Sequence, residues 1–404
     1  YLIMIQYNAA LKIIEKEFSR IKIGIEKVSL LDSLNRIIAG DIYADTEQPL
    51  FTSSAMDGYA FKYAEGINEW KISGEISAGS GKLINVKKGE AVLVTTGSRI
   101  PETTDTVIPI EDLIVKENTI KYKNNGDLKR GINVRLQGED IKKGKLLIRK
   151  NTILKSNNIA IAASCGKSII KVYKKLKIGV LATGDELADI NNKPEDDKIR
   201  ASNLYSLLSA VEQMNMIPVS FGLVKDNKGE IKENVGGALS SGIDILLTTG
   251  GVSAGKYDFL IDIFKELGMK IIFSKVNIKP GKPVLFGVYN KNKKTVLVFG
   301  LPGNPVSSYV SFILFVRNVI MNKLSLNYNH AGTAILNAAL SKQDNKRHFL
   351  RGIIQNKNGT NIVSKIGSQS SANIGGLNSA NCLIVLKEKN KILKKGRITE
   401  CIMI

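Results

Sequence analysis

Three polar, glycine-rich clusters each follow an apolar run in this 404-residue chain. They are Ala182-Thr183-Gly184-Asp185-Glu186-Leu187, the stretch Thr248-Thr249-Gly250-Gly251-Val252-Ser253-Ala254-Gly255-Lys256-Tyr257-Asp258, and Leu301-Pro302-Gly303-Asn304-Pro305-Val306-Ser307. Glycine lets backbone approach a ligand closely, and unpaired N–H groups at a following helix start can cradle an anion. One such loop is commonly just a helix cap. Three at successive strand ends of one sheet form a site, because open α/β sheets bind ligands at the carboxyl ends of their strands. Glu186, Asp226 and Asp258 follow strands on that same edge. Three acids facing a phosphate would repel it unless Mg²⁺ bridges them, so the grouping implies a metal. Taken singly, Asp226 and Asp258 read as helix N-caps; beside the loops they read as metal ligands. Lys279-Pro280-Gly281-Lys282-Pro283 adds two ammonium groups on a turn stiffened by proline, suited to contact with an anion.

The N-terminal half carries a second set: Ser53-Ser54-Ala55-Met56-Asp57-Gly58-Tyr59-Ala60, Gly74 to Gly79, Thr95-Thr96-Gly97-Ser98-Arg99-Ile100-Pro101, and Arg135-Leu136-Gln137-Gly138-Glu139-Asp140. On physical grounds each could be a β-turn. Two other patterns are decoys. Gly251-Val252-Ser253-Ala254-Gly255 has the form of a nucleophile elbow, but such an elbow needs an acid and a histidine later in its own α/β fold. Both histidines, His330 and His348, fall in a later β-rich region, which disfavours a hydrolase. Lys82 and Lys282 each follow glycine, yet neither has the required glycine five residues before it or a Ser/Thr after, which excludes a P-loop.

The elements that position these residues follow from periodicity. Residues 8 to 20 read as an amphipathic helix, and residues 51 to 147 as a small β domain of short strands and glycine turns. After Lys175, strands at 178–182, 217–224, 243–247 and 296–299 alternate with helices after Ser202, ending near Leu239, from Phe259 to Leu267, and from Val306 to Ile320. That alternation predicts a three-layer α/β/α domain around a mostly parallel sheet. From about Asn327 the helical pattern gives way to a small β domain. There is no internal repeat.

Composition bounds the rest. The chain exceeds what one core usually accommodates, so two to four domains are expected. Hydrophobic content of 43% and charged content of 24% are those of a soluble globular protein. With no long apolar run and no basic lead-in before Leu2-Ile3-Met4-Ile5, neither a membrane span nor a signal peptide is expected, and a cytoplasmic location is the default. Cys165, Cys382 and Cys401 are dispersed without metal-ligand spacing, so a zinc site is not expected. The net charge of +21 comes from dispersed lysines rather than a basic arm, so specific nucleic-acid binding is not expected; the charge does suit phosphates and an oxyanion.

Taken together, Ser54 to Ala60, Thr96-Gly97, Arg135 with Gly138-Glu139-Asp140, Thr183 to Leu187, Gly250 to Ser253 with Gly255 and Asp258, Pro280 to Pro283 and Leu301 to Pro305 closely resemble the molybdopterin molybdenumtransferase family, which includes the E domain of gephyrin. The resemblance runs from about Ala9 to the C-terminus in the family's order. It implies a homodimer of four-domain subunits: residues 1–45 with 141–172, an inserted β domain at 46–140, an α/β domain of adenylyltransferase-module type at 173–325, and a C-terminal β domain at 326–404. It implies insertion of molybdate into adenylylated molybdopterin, with Mg²⁺-dependent hydrolysis of the phosphoanhydride and release of AMP. Glu186, Asp226 and Asp258 would be metal and catalytic acids, and Asp57, Thr96 and Asp140 further catalytic residues. Arg135, Thr183, Gly184, Asn203, Gly250, Gly251, Ser253, Gly255, Lys279, Lys282, Pro302, Gly303, Asn304, Pro305 and Ser307 would bind substrate. Contact with the upstream adenylyltransferase and with molybdoenzyme apoproteins is a further implication. The alternatives are a pterin adenylyltransferase and a non-enzymatic scaffold of the gephyrin type. Two positions depart from the family pattern. Ala201 stands where an Asp usually precedes Ser202-Asn203, leaving Ser202 or Asn203 to cap the helix, and Asn227 stands where an acid is frequent.

The family's dimer also sets the inserted β domain of one subunit against the α/β domain of its partner. Asp57→Ala and Glu186→Ala homodimers should then both be inactive, whereas mixed dimers carry one site with both lesions and one with neither. After random exchange in an equal mixture, roughly a quarter of all sites should regain AMP release. No recovery, with exchange verified by mass spectrometry, would place both residues in one chain's site.

Overall fold

The computed structural model describes residues 4–82, 84–124, 128–194, 196–251, 260–291, 294–324 and 331–404. Contacts divide the chain into two compact units, one of residues 1–27, 35–39 and 171–404, the other of residues 28–34 and 40–170.

The larger unit holds the α/β layer. Its sheet comprises β1 (Lys177–Thr183), β2 (Ile217–Val224), β3 (Ile245–Thr249), β4 (Lys270–Phe273), β5 (Leu285–Lys291) and β6 (Lys294–Leu301), in the order β2-β1-β3-β6-β5-β4. The first four strands in that order run parallel, and β5 and β4 add antiparallel. The sheet is therefore mixed. The hairpin of β5 and β6 has no crossover helix, and its antiparallel edge lies outside the β-α alternation expected from sequence. Strands β1 and β3 are near-continuous apolar runs because both faces are covered. Leu181, Leu246, Val296 and Val298 face one side, packed with residues of α2 (Lys228–Ser240) and α3 (Leu260–Glu266). The opposite side receives α1 (Ser202–Gln213) and α4 (Pro305–Ser311). This is the expected three-layer arrangement. Helix α4 continues through a π-helical turn, Phe312–Arg317, into Asn318–Lys323. The apolar pattern gives the extent of this helix but not its widened turn.

The same unit ends in a β barrel. Strand Arg347–Lys357 pairs with both Thr360–Lys365 and Cys382–Leu386, and the ring runs through Ala331–Leu336 and Ile398–Met403. A short strand from the α/β layer, Ile278–Lys279, joins its edge, with Ile278 opposite Arg347 and Lys279 opposite His348. The N-terminal helix Tyr7–Phe18 packs on Asn318–Lys323. Tyr7 sits edge-on to Phe349, with ring centroids 5.1 Å apart, and beneath the Arg347 guanidinium.

The smaller unit centres on a six-stranded sheet of Thr106–Pro109, Gly58–Phe61, Glu90–Val94, Glu69–Ile76, Thr119–Tyr122 and Leu113–Lys116. Alternation along Gly58–Phe61 sends Tyr59 and Phe61 into one cluster around Trp70, and Ala60 into another with Val92, Val94 and Val107. All three cysteines of the chain are free and buried. Among the described residues no helix is long and apolar enough to cross a membrane.

Candidate functional site

Strands β1, β3 and β6 end side by side, with Ala182 opposite Thr249 and Thr249 opposite Leu301. Their three loops therefore leave the sheet at one edge, as the spacing of motifs predicts. The packing there is close. A Cβ on Gly250 would lie 2.1 Å from the Thr183 carbonyl oxygen, and its φ of +94° is in the region favouring glycine. Gly251 is similarly confined by Leu260. A Cβ on Gly303 would rest 3.8 Å from the Gly250 Cα, so the second and third loops touch.

Asn203 stitches them. From the first turn of α1 its Nδ2 donates to the Gly303 carbonyl at 2.6 Å and to Thr249 Oγ1 at 3.3 Å. This corrects an expectation: neither Ser202 nor Asn203 caps α1. The cap position is Ala201, without a side-chain bond, and Asn203 is engaged across the loops instead. Asn203 Oδ1 and Thr248 Oγ1 are buried with no hydrogen-bond partner among the described residues.

The acids lie at the same edge. The Glu186 carboxylate folds back over Gly184, within 2.6 Å of where a Cβ would stand. Asp185 Oδ1 accepts from the Asp226 amide at 3.1 Å, tying the first loop to the start of α2. The N-cap of α2 is Asn227, whose Oδ1 accepts from Gly229 and Glu230 at 2.9 and 3.1 Å. Asn227 is thus a cap, and Asp226 is not. The Asp226 carboxyl is held above the usual range by burial first, then by the charges of Asp185 and Glu186. Among the described residues no three His, Cys, Asp or Glu side chains are arranged to hold a metal. Ser253, Gly255 and Asp258 lie outside the described residues. What is described is Asp226 repelled by the carboxylates of Asp185 and Glu186, hard oxygen donors of the kind Mg²⁺ takes.

On the other side of the third loop is a cavity of about 280 Å³. Asn304 and Ser307 line it together with Lys279 and Lys282. The barrel contributes Lys346 and Arg351. None of the lining residues is Asp or Glu. Arg351 is 1% exposed, and its guanidinium donates to the carbonyls of Asn373, Ser368 and Ser370 at 2.7, 2.8 and 3.0 Å. Sequence reasoning singled out neither barrel residue. The available signal was a lone arginine inside the apolar strand run Phe349-Leu350-Arg351-Gly352-Ile353, where a polar side chain demands a reason. Pro302 is buried, and Pro305 opens α4 at its first position.

In the smaller unit, Asp57 Oδ1 accepts from the Thr96 amide at 2.6 Å and hydroxyl at 2.8 Å, which holds the carboxyl below its usual range. Arg135 pairs with Glu139 at 2.8 Å and with Asp140. The two pairs flank one knot of backbone: Ser53–Ser54 pairs with Val134–Arg135, and Gly97 donates to the Ser54 carbonyl. Asp57 is thus partnered across two turns by Thr96, and Arg135 within its own turn by Glu139 and Asp140.

The comparisons with known proteins fit this arrangement. Residues 5–166 match the model of the MoeA N-terminal region (domain I and II), residues 179–322 that of a probable molybdopterin binding domain, and residues 333–403 that of the MoeA C-terminal region (domain IV). The chain is 32% identical to the molybdopterin molybdenumtransferase of Bacillus subtilis, over 94% of this chain and 90% of that protein. It is also 32% identical to that of Haemophilus influenzae, over 92% of each. The chain belongs to the molybdopterin molybdenumtransferase (MoeA) family. Two crystal structures of the molybdopterin biosynthesis MoeA protein from Pyrococcus horikoshii share its fold, with TM-scores of 0.82 and 0.80 at 26% and 27% identity. They cover 99% and 100% of both chains.

The close approach at Gly250 makes a direct prediction for this MoeA-family chain. Gly250→Ala must move Thr183 or the loop and hold alanine at positive φ, at a cost of about 1–3 kcal/mol for the backbone alone. Its melting temperature should fall by several degrees, whereas Gly303→Ala, with room for a methyl group, should melt close to the parent. Equal melting of the two variants would show that the loops are not packed as described.

Proposed function

We propose that this chain inserts molybdenum from molybdate into adenylylated molybdopterin, cleaving the phosphoanhydride with Mg²⁺ and releasing AMP. The observation that carries this reading is the segment Leu301–Ser307. It touches the glycine-loop edge through Gly303 and lines the cation-rich cavity through Asn304 and Ser307. A transfer from an oxyanion to a pterin dithiolene needs those two ligands side by side.

In this reading the pterin and its phosphates lie along Thr183-Gly184, Gly250-Gly251 and Pro302 to Ser307, with Ser253 and Gly255 continuing the second loop. Asn203, bonded to both Thr249 and Gly303, holds the second and third loops at the spacing that the pterin would meet. Molybdate takes the cavity with Lys279 and Lys282. Glu186 and Asp226, with Asp258, would hold Mg²⁺. When bound, the cation supplies charge neutralisation and polarisation at the scissile phosphoanhydride. The residues' own part is to fix the diphosphate and keep the loops at their spacing. Asp57, Thr96, Arg135 and Asp140 complete the set in the proposed homodimer. In this reading the chain folds as four domains, 1–45 with 141–172, 46–140, 173–325 and 326–404, and works in the cytoplasm.

The acid pair gives the test. Because burial, and then the charges of Asp185 and Glu186, disfavour the charged form of Asp226, a bound divalent cation should raise the melting temperature of the parent. Glu186→Ala and Asp226→Ala should each lose that increment and also lose AMP release, by two decades or more. Both variants should fold, since surface-edge carboxylates contribute little to the core. Parent-like Mg²⁺ shifts together with full AMP release in both variants would remove the metal assignment. Formation of adenylylated pterin and pyrophosphate from ATP and the pterin, rather than AMP release from adenylylated pterin, would move the chain to an adenylyltransferase.

A further inference from the structure

We propose that Lys346 is an anion-contacting cation of the cavity, presented by a turn of the C-terminal barrel that Lys342 and Asp344 hold in place. This rests on the reading of the cavity as the oxyanion site. The cavity has four cationic lining residues, Lys279, Lys282, Lys346 and Arg351. Three of the five Arg351 N–H donors are bound to carbonyls, which makes that residue a clamp on the segment from Ser368 to Asn373. Lys279 and Lys282 come from the α/β layer. Lys346 comes from the barrel, so it alone among the three lysines brackets an anion from that side. Among the described residues none of these lysine side chains has a hydrogen-bond or ion-pair partner, and no carboxylate lines the cavity.

The turn that carries Lys346 holds its backbone while leaving its ammonium without a hydrogen bond or ion pair, though its charge is felt by the Asp344 carboxylate. Lys342 is 7% exposed, and its ammonium donates to the carbonyls of Glu388 at 3.0 Å, Asp344 at 3.5 Å, and Lys346. Those bonds use all three of its protons, so Lys342 is spent on the turn and not on a ligand. Asp344 Oδ1 accepts from the Lys346 amide at 3.1 Å and lies 2.7 Å from His348 Nε2. His348 in turn is opposite Lys279 in the strand pairing. The two lysine-bearing segments are therefore joined through backbone, and Lys342 and Asp344 act as positioning residues.

The experiment is equilibrium dialysis of sodium molybdate against the full chain, with metal detection, alongside molybdate-dependent AMP release. Lys346→Gln should raise the molybdate Kd and KM about fivefold, the size of a partly screened charge. Its kcat should change less than twofold, and Lys346→Arg should restore most of the affinity. Asp344→Ala discriminates placement from field. Removing a negative charge near an anion site should by itself tighten binding, so a weaker Kd there reports a displaced Lys346. The double variant should then be no weaker than Lys346→Gln alone. Should Asp344→Ala not fold, the Lys346 pair of variants still decides the question. A parent-like Kd in Lys346→Gln, with a raised Kd in Lys279→Gln, overturns the role of Lys346 and leaves the oxyanion reading standing. No change in either variant overturns the oxyanion reading and this inference with it.

Discussion

The site depends on one steric fact: nothing but a hydrogen atom fits between Gly250 and the carbonyl of Thr183. Adjacent strands of a sheet stand about 4.8 Å apart, so loops leaving neighbouring strands in register must diverge or interpenetrate. Here they stay together. Gly250 takes a positive φ to turn beneath the first loop, and the third loop rests on its Cα. Only at that spacing can a side chain as short as Asn203 bond to both Thr249 and Gly303.

The charges are arranged around this knot by sign. Asp185, Glu186 and Asp226 crowd one side, and burial with their mutual repulsion raises the Asp226 carboxyl above its ordinary range. Lysines and a buried arginine line the other side without an acid among them. An isolated protein gains nothing from keeping such groups apart, since pairing them would relieve both desolvation and repulsion. Their separation by the segment Leu301–Ser307 makes sense when each side has a ligand of opposite charge, a cation on one and an oxyanion on the other.

How much of this was legible in the sequence follows from what local chemistry dictates. Glycines beside polar residues after apolar runs mark tight turns at strand ends, so the three loops and their sheet could be read directly. Side-chain destinations could not. Asp226 and Asn227 are neighbours of similar shape, and only the geometry of the first turn of α2 makes the second the cap. Asn203 has the composition of a cap yet reaches across to two other loops. The antiparallel strands β4 and β5 lack the intervening helix that makes parallel strands recognisable. Lys346 and Arg351 belong to a barrel whose strands carry no motif, and they meet the loops through tertiary packing alone.

That tertiary packing is itself economical in side chains. Ile278–Lys279 is attached to the barrel by main-chain pairing with Arg347 and His348. The Lys346 amide is fixed by Asp344, and its carbonyl by the buried Lys342. In both segments the backbone supplies the attachment and the ammonium group is left over. A lysine immobilised through its own charge would have to break an ion pair before meeting an anion, losing much of the attraction it offers. One held by its peptide group gives up only rotamer freedom. The barrel is thus more than a cap on the α/β layer, because it fixes charged residues on two sides of the cavity without neutralising them.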